Sequence, residues 1–444
     1  METKIKTTTM LLMVFLALKV QAQDQLTLAD AIGITLQENH DIQIAQLDTV
    51  VSSNNATAGN AGLLPSIYAV GGYNYSENNT EIEFAAFDGS GDTQSIRADF
   101  AETEEISASV NVEYTLFDGL GGHHRLKLLK NSNKATALQT RYRIENTVLN
   151  TTFFYLNVAT QQANLVIAQE QLDISNERLQ RAESQFNFGA GNRTTVLNAE
   201  VAVKNDSAAL RQNQLRYKTA QAELNAFMGR SPKIGFSVDE EVDFYPFIDK
   251  EQLEAKVLEN NARLKLSQQG LEISESELSI AKAERYPKVL LHGGYSYFDQ
   301  TNEANLLLSQ QLDGWNVGVG VRLNIFDGSR VNRKIQNAQI RIDQEKLRID
   351  QTELQVVKDF ENTYTEYEQA LNDLNIERSN LKTFEQNFER NQIDFRNGQI
   401  TNTQLREAQL DLTSAKTRIV TATYTVKQKE AELLQLTGAM LKLE

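Results

Sequence analysis

The chain has 444 residues, no cysteine, four prolines and a formal charge of −15, enough length for a large buried core in an acidic molecule. The charge argues against nucleic acid as a partner, because phosphate neutralisation needs a concentrated basic surface. The missing cysteine excludes disulfides, thiolate metal sites and a cysteine nucleophile, and beyond residue 20 no apolar run reaches the 18 residues of a membrane-spanning helix.

At the start, Lys4 and Lys6 precede the apolar run from Met10 to Leu18, and Val20-Gln21-Ala22 puts small residues where a signal peptidase cuts. We read residues 1–22 as a secretory signal; its loss, with three Lys and one Glu, leaves a charge of −17. The periodicity then predicts a helix over 27–61, a strand over 66–76, a solvated loop over 77–105, a strand over 106–117, a very long helix over 119–187 and a helix over 194–228. The loop reading rests on nine Asp or Glu against the single Arg97, with Gly89 and Gly91. Pro232 and Pro246 mark a linker over 230–249. The same order follows again: helix 250–284, strands 288–298 and 312–326, long helix 328–395 and helix 401–437.

Residue matches support a duplication. At an offset of 222, Asn39 matches Asn261, Pro65 matches Pro287 and Gly71-Gly72-Tyr73 matches Gly293-Gly294-Tyr295. At an offset of 209, Phe117-Asp118-Gly119 matches Phe326-Asp327-Gly328, and Gly189, Ala199 and Gly229 match Gly398, Ala408 and Gly438. The expected organisation is therefore a first repeat over 23–229, the linker 230–249, and a second repeat with a C-terminal tail over 250–444. Each long helix spans roughly 100 Å at about 1.5 Å per residue, so two half-length helices can stack end to end beside it.

Phe360, Tyr367, Leu374, Leu381, Phe388 and Phe395 recur every seven residues, as do Val158, Leu165, Leu172, Leu179 and Phe186, the mark of a left-handed coiled-coil seam. Helices alone would allow a secreted coiled-coil structural protein. The strands point elsewhere. From Ile106 to Leu116 every even residue is apolar and every odd one polar, and from Trp315 to Ile325 the odd residues are apolar, an alternation and length that suit a transmembrane β-strand. Four such strands cannot close a barrel, and an open edge in hydrocarbon leaves backbone groups unpaired at several kcal/mol each. Several chains must share one barrel; three supply twelve strands.

Strand pairs entering long helices through Phe-Asp-Gly, twice over, with Phe186-x-x-Gly189 and Phe395-x-x-Gly398 turns and then Leu405-x-x-Ala408, resemble the TolC-like outer membrane efflux proteins. The resemblance covers the whole mature chain. It implies a mainly α protein with a membrane β-barrel contribution: a homotrimer with one shared 12-stranded barrel in the outer membrane and a coiled-coil helical tunnel through the periplasm. It implies a passive exit duct without a cofactor, working with an inner-membrane pump and a periplasmic adaptor protein to export small molecules from a Gram-negative cell. A type I protein secretion channel and a heavy-metal efflux channel share this fold and stay open.

The family's entrance and adaptor contact lie where the long helix turns into the short one, which here brings in Gly189, Asn192, Gly398 and Thr401. Gly189 and Gly398 supply the positive φ of a helix end, and Thr401 with Gln404 forms a capping box. Family members carry two aspartates six and nine residues after the second glycine; Gln404 and Glu407 stand there, one neutral and one acidic, while the family's locking arginine is replaced by Ile400. Glu113 and Arg322 occupy equivalent lumen-facing barrel positions and could pair. His40, His123, His124 and His292 fit no metal or catalytic motif, so an enzyme is not expected.

Overall fold

The computed structural model describes residues 25–85, 89, 91–241, 243–244, 249–305 and 307–442. The signal reading over 1–22, Pro246 and the last two residues of the tail lie outside the described residues.

The elements in order are β1 (Gln25–Leu26), α1 (Leu28–Glu38), α2 (His40–Asn55), β2 (Ser66–Ala85), β3 (Thr93–Phe117), α3 (Gly121–Asn187), α4 (Arg193–Phe227), β4 (Ser237–Val238), α5 (Lys250–Asn260), α6 (Ala262–Ala283), β5 (Lys288–Asn302), β6 (Ser309–Arg322), α7 (Arg330–Arg396) and α8 (Asn402–Leu436), with a 3₁₀ turn over Met440–Lys442. Both long helices have 67 residues and both following helices 35. The chain divides into two compact units: the described part of Met1–Asp48 with Ala137–Leu266 and Ile349–Glu444, and Thr49–Thr136 with Ser267–Arg348.

In the first unit, helices pack around apolar clusters. One joins Leu156, Val158 and Leu224 to Phe236 and Val238 of the linker. Another holds Val257, Phe360, Tyr367, Leu374 and Leu433. The linker is strapped down by the short parallel pairing of β1 with β4 and by Tyr155, whose hydroxyl donates to the carbonyl of Leu26 at 3.0 Å or Asp239 at 3.1 Å. Along the heptad seam, Phe360, Tyr367 and Leu374 are buried, whereas Leu381, Phe388 and Phe395 are only half-buried in the single chain.

The single helices expected over 27–61 and 250–284 are each broken in two, at Asn39 and Asn261. Both asparagines leave helical geometry, with ψ of 125° and 121°. The Asn39 side chain accepts from the Ile42 amide at 3.1 Å and donates to the Phe227 carbonyl at 2.6 Å. Asn261 accepts from the Leu264 amide at 3.1 Å and donates to the Leu436 carbonyl at 3.0 Å. Each asparagine thus starts one helix while satisfying the open carbonyl end of another, which offsets the lost helical bond.

The second unit carries an antiparallel sheet of order β2-β3-β5-β6. Pro65 and Pro287 directly precede β2 and β5, where a missing amide hydrogen costs nothing. The solvated loop expected over 77–105 is instead mostly hairpin. β2 and β3 stay paired from Glu77 opposite Glu102 to Ala85 opposite Thr93, with one bulge between Asn78 and Thr80. The reason is visible in Ile82, which pairs with Ile96, and Phe84: apolar residues still alternate with the acids, and water on both faces tolerates the charge. β5 likewise runs on to Asn302, whereas the strand expected over 312–326 begins at Ser309 and stops at Arg322, leaving Leu323 to Phe326 unpaired. No helix among the described residues is long and apolar enough to cross a membrane.

Candidate functional site

The two turns that follow the long helices have one design. Gly189 (φ 76°) and Gly398 (φ 74°) end α3 and α7 in left-handed conformation. Behind them Ala190 donates to the Gln185 carbonyl and Gln399 to the Asp394 carbonyl, both at 2.8 Å, the wide bond of a Schellman motif. Asn192 then caps α4 by accepting from the Thr195 amide at 2.9 Å. Thr401 and Gln404 cap α8 reciprocally, the Gln404 oxygen accepting from the Thr401 amide at 2.8 Å. Gln404 is thereby committed to the cap, while Glu407, one turn on, is exposed. Phe188 lies 89% exposed beside Gly189, and an open groove of about 910 Å³ runs between the turns, lined by Asn192, Thr195, Asn198, Ile400 and Asn402 among others.

Above the turns, the structure assembles a polar cluster that sequence reading did not find. Asp206 on α4, 2% exposed, accepts a two-pronged pair of bonds from Arg406 on α8 at 2.7 and 2.8 Å. It also accepts from Ser175 at 2.5 Å and Gln171 at 2.6 Å, both on α3. Arg178, 6% exposed, donates its hydrogen bonds to neutral oxygens, those of Asn402, with its carbonyl at 3.0 Å, and Gln409 at 3.1 Å. Burial pushes the Asp206 carboxyl up, but the bonds from Arg406 and Ser175 and the Arg406 charge outweigh it and hold the group below the usual carboxylate range. Burial, reinforced by the Arg406 charge, brings the Arg178 guanidinium down to about 10. Nearby, Arg181 donates to the Arg396 carbonyl at 2.9 Å, closing the end of α7, with its guanidinium over the Phe395 ring.

In the sheet, one face is apolar and open. The row Ala69, Val110, Tyr295 and Trp315 runs straight across the four strands, and Val110, Tyr295 and Trp315 are 50%, 52% and 79% exposed. Exposed apolar rows of this extent mark a surface made to meet something other than water. Tyr73, Tyr295 and Tyr297 direct their hydroxyls to Glu104, Asp313 and Asp299, an apolar body with a polar end as at a membrane interface. On the opposite face, Glu113 accepts from the Tyr68 hydroxyl at 2.8 Å and stands opposite Ser66 and His292. Arg322 stands opposite Lys288 instead, and β3 and β6 are not neighbours, so Glu113 and Arg322 do not pair within a chain. The described residues contain no cluster of His, Cys, Asp or Glu able to hold a metal ion.

Solved structures share this architecture. The fold matches the Vibrio cholerae outer membrane protein VceC at a TM-score of 0.72, with 16% identity over 93% of this chain and 96% of that one. It matches the Campylobacter jejuni CmeC outer membrane channel at 0.74, with 13% identity over 93% and 86%. At these identities the likeness defines the fold, that of the TolC-like outer membrane channels. The outer membrane efflux protein family model matches residues 31–230 and again 253–439, and the chain belongs to that family. Among curated relatives it is 20% identical to the Brucella suis outer membrane efflux protein BepC over 93% of this chain and 86% of that one. It is 21% identical to Nodulation protein T of Rhizobium leguminosarum bv. viciae over 73% and 67%. Family and fold are those of channel proteins rather than enzymes and place the protein in the outer membrane, reaching into the periplasm.

Proposed function

We propose that this chain is one subunit of a homotrimeric exit duct, built from two copies of one unit over 23–229 and 250–444 joined by 230–249. Three four-stranded sheets form one 12-stranded barrel, and the paired helices form a tunnel that receives small molecules from an inner-membrane pump through a periplasmic adaptor. The observation that carries this reading is the sheet: an exposed apolar face with both edge strands, β2 and β6, unpaired. In lipid such a sheet is stable only if its edges are paired, and three copies give a lumen that four or eight strands do not. The groove and exposed Phe188 between the turns offer the adaptor its contact.

Light scattering on the full chain, extracted from membranes in detergent, is expected to count three copies; a monodisperse monomer in plain buffer contradicts the proposal. Glu407 is proposed as the acidic ring of the periplasmic entrance, three carboxylates that favour cations. Replacing Glu407 with Ala is expected to move the reversal potential in a salt gradient toward zero and to weaken block by multivalent cations. Unchanged selectivity removes Glu407 from the entrance.

A further inference from the structure

Resting on the trimeric reading above, we infer that β6 of one subunit pairs with β2 of the next in a single register: Val319 opposite Tyr73, Val317 opposite Tyr75 and Val321 opposite Gly71 of the neighbouring copy. The register follows from the pairings inside the chain. Ser66 stands opposite Glu113 in the first hairpin, and Lys288 stands opposite Arg322 in the second. Lys288 lies 222 residues after Ser66 and Arg322 lies 209 after Glu113, the same offsets that align the two halves of the sequence. The two hairpins therefore share one register.

Between the hairpins, β3 pairs with β5, placing Val110 opposite Tyr295 and Ala108 opposite Tyr297. The counterpart of β3 is β6 and that of β5 is β2, yet β6 and β2 sit at opposite edges of the sheet. Only a second copy can complete the missing ladder. Carrying the β3–β5 register across by the two offsets turns Val110 and Tyr295 into Val319 and Tyr73 of the next copy, the same valine and tyrosine. β-Branched and aromatic partners of this kind stabilise a sheet when they stand opposite each other.

Two features of the single chain fit this closure. The first is the early end of β6. In β3, residues Tyr114, Thr115 and Phe117 are in strand only because β5 holds them, through Leu291, Leu290 and Val289. Their counterparts Leu323, Asn324 and Phe326 have no such partner and fall outside β6, with Phe326 87% exposed. The inferred register supplies Ala69, Tyr68 and Ile67 of the next copy, and Ile67 is itself 67% exposed. The second feature is the face. Odd residues of β2 and of β6 lie on the same apolar face, and the register sets odd against odd, whereas a slip of one residue would set the odd residues of β6 against the even residues of β2, which belong to the opposite face.

The chain has no cysteine, so paired substitutions test the register directly. Three double variants are compared in outer membranes under mild oxidation: Val319→Cys with Tyr73→Cys, and the two-residue slips Val319→Cys with Tyr75→Cys and Val317→Cys with Tyr73→Cys. Within one chain β2 and β6 are three strand spacings apart, roughly 14 Å, beyond the reach of a disulfide, so every cross-link joins two copies. The inferred pair is expected to give covalent dimers and trimers while the slipped pairs give little. Cross-linking that favours a slipped pair, or none in any variant that still sediments as a trimer, overturns the register and leaves the trimer standing. Absence of cross-links in a protein that sediments as a monomer overturns the trimeric reading itself. Hydrogen exchange on the unsubstituted protein gives an independent readout: the amides of 323–326 are expected to be protected as strongly as those of 114–117, and rapid exchange there contradicts the extension of β6.

Discussion

Replacing Asp206 with Ala is expected to loosen the bundle of α3, α4 and α8 just above the turns, lowering stability by about 3–5 kcal/mol, the usual cost of removing one member of a buried ion pair. Asp206 is the only anion hydrogen-bonded within the cluster, and its loss leaves the Arg406 guanidinium facing Ser175 and Gln409 beside Arg178. Because folding lowers the Asp206 pKa, its contribution is complete above the unfolded value of about 3.9 and declines as pH falls through the lower folded value. The difference between wild type and the alanine variant, followed by helical circular dichroism in urea, should thus be full at neutral pH and shrink in strong acid. At the equivalent positions of the other half, Asp206 becomes Ala415 and Arg406 becomes Leu197. The double variant Asp206→Ala with Arg406→Leu carries the residue types of those positions and should recover much of the loss, since burying neither charge removes both desolvation costs. A single variant within about 1 kcal/mol of wild type would show that the cluster fastens nothing.

The second large effect is expected at Gly229. Its φ is 85°, and a Cβ there would lie 2.4 Å from the carbonyl oxygen of Glu38, a backbone atom that cannot swing away. Gly189 has nearly the same φ of 76° with nothing within 4 Å. Alanine at Gly189 should therefore cost only the left-handed penalty of about 1–2 kcal/mol. Alanine at Gly229 adds a clash that must push the end of α4 off the end of α1 and strain the bond from Asn39 to Phe227. Gly229→Ala should be clearly the more damaging of the two in the same urea experiment; equal effects would mean that the close approach between the helices is readily relieved.

Part of this structure is legible in the residues alone. Helix and strand order, the 67-residue helices and both turns were legible because periodicity, Phe-Asp-Gly and the glycines are local signals that appear twice. The helix breaks at Asn39 and Asn261 were not, since an asparagine interrupts a helix only when a second helix end is at hand to accept its amide. The pairing of 77–85 with 93–102 was hidden by its charge, which composition assigns to loops although a strand in water accepts acids on both faces. The cluster of Arg178, Asp206 and Arg406 joins residues 200 or more positions apart across α8 and has no heptad signature. A usable signal existed nonetheless: a charge in one half facing alanine or leucine at the same place in the other.

Reconstitution tests whether the chain forms a channel. The most direct measurement is the current through a planar lipid bilayer after the detergent-purified full chain is added at low concentration. Discrete, uniform conductance steps with cation preference are expected, each step one trimer. A bilayer that stays silent with protein inserted in it, or irregular currents without a unit step, would contradict it.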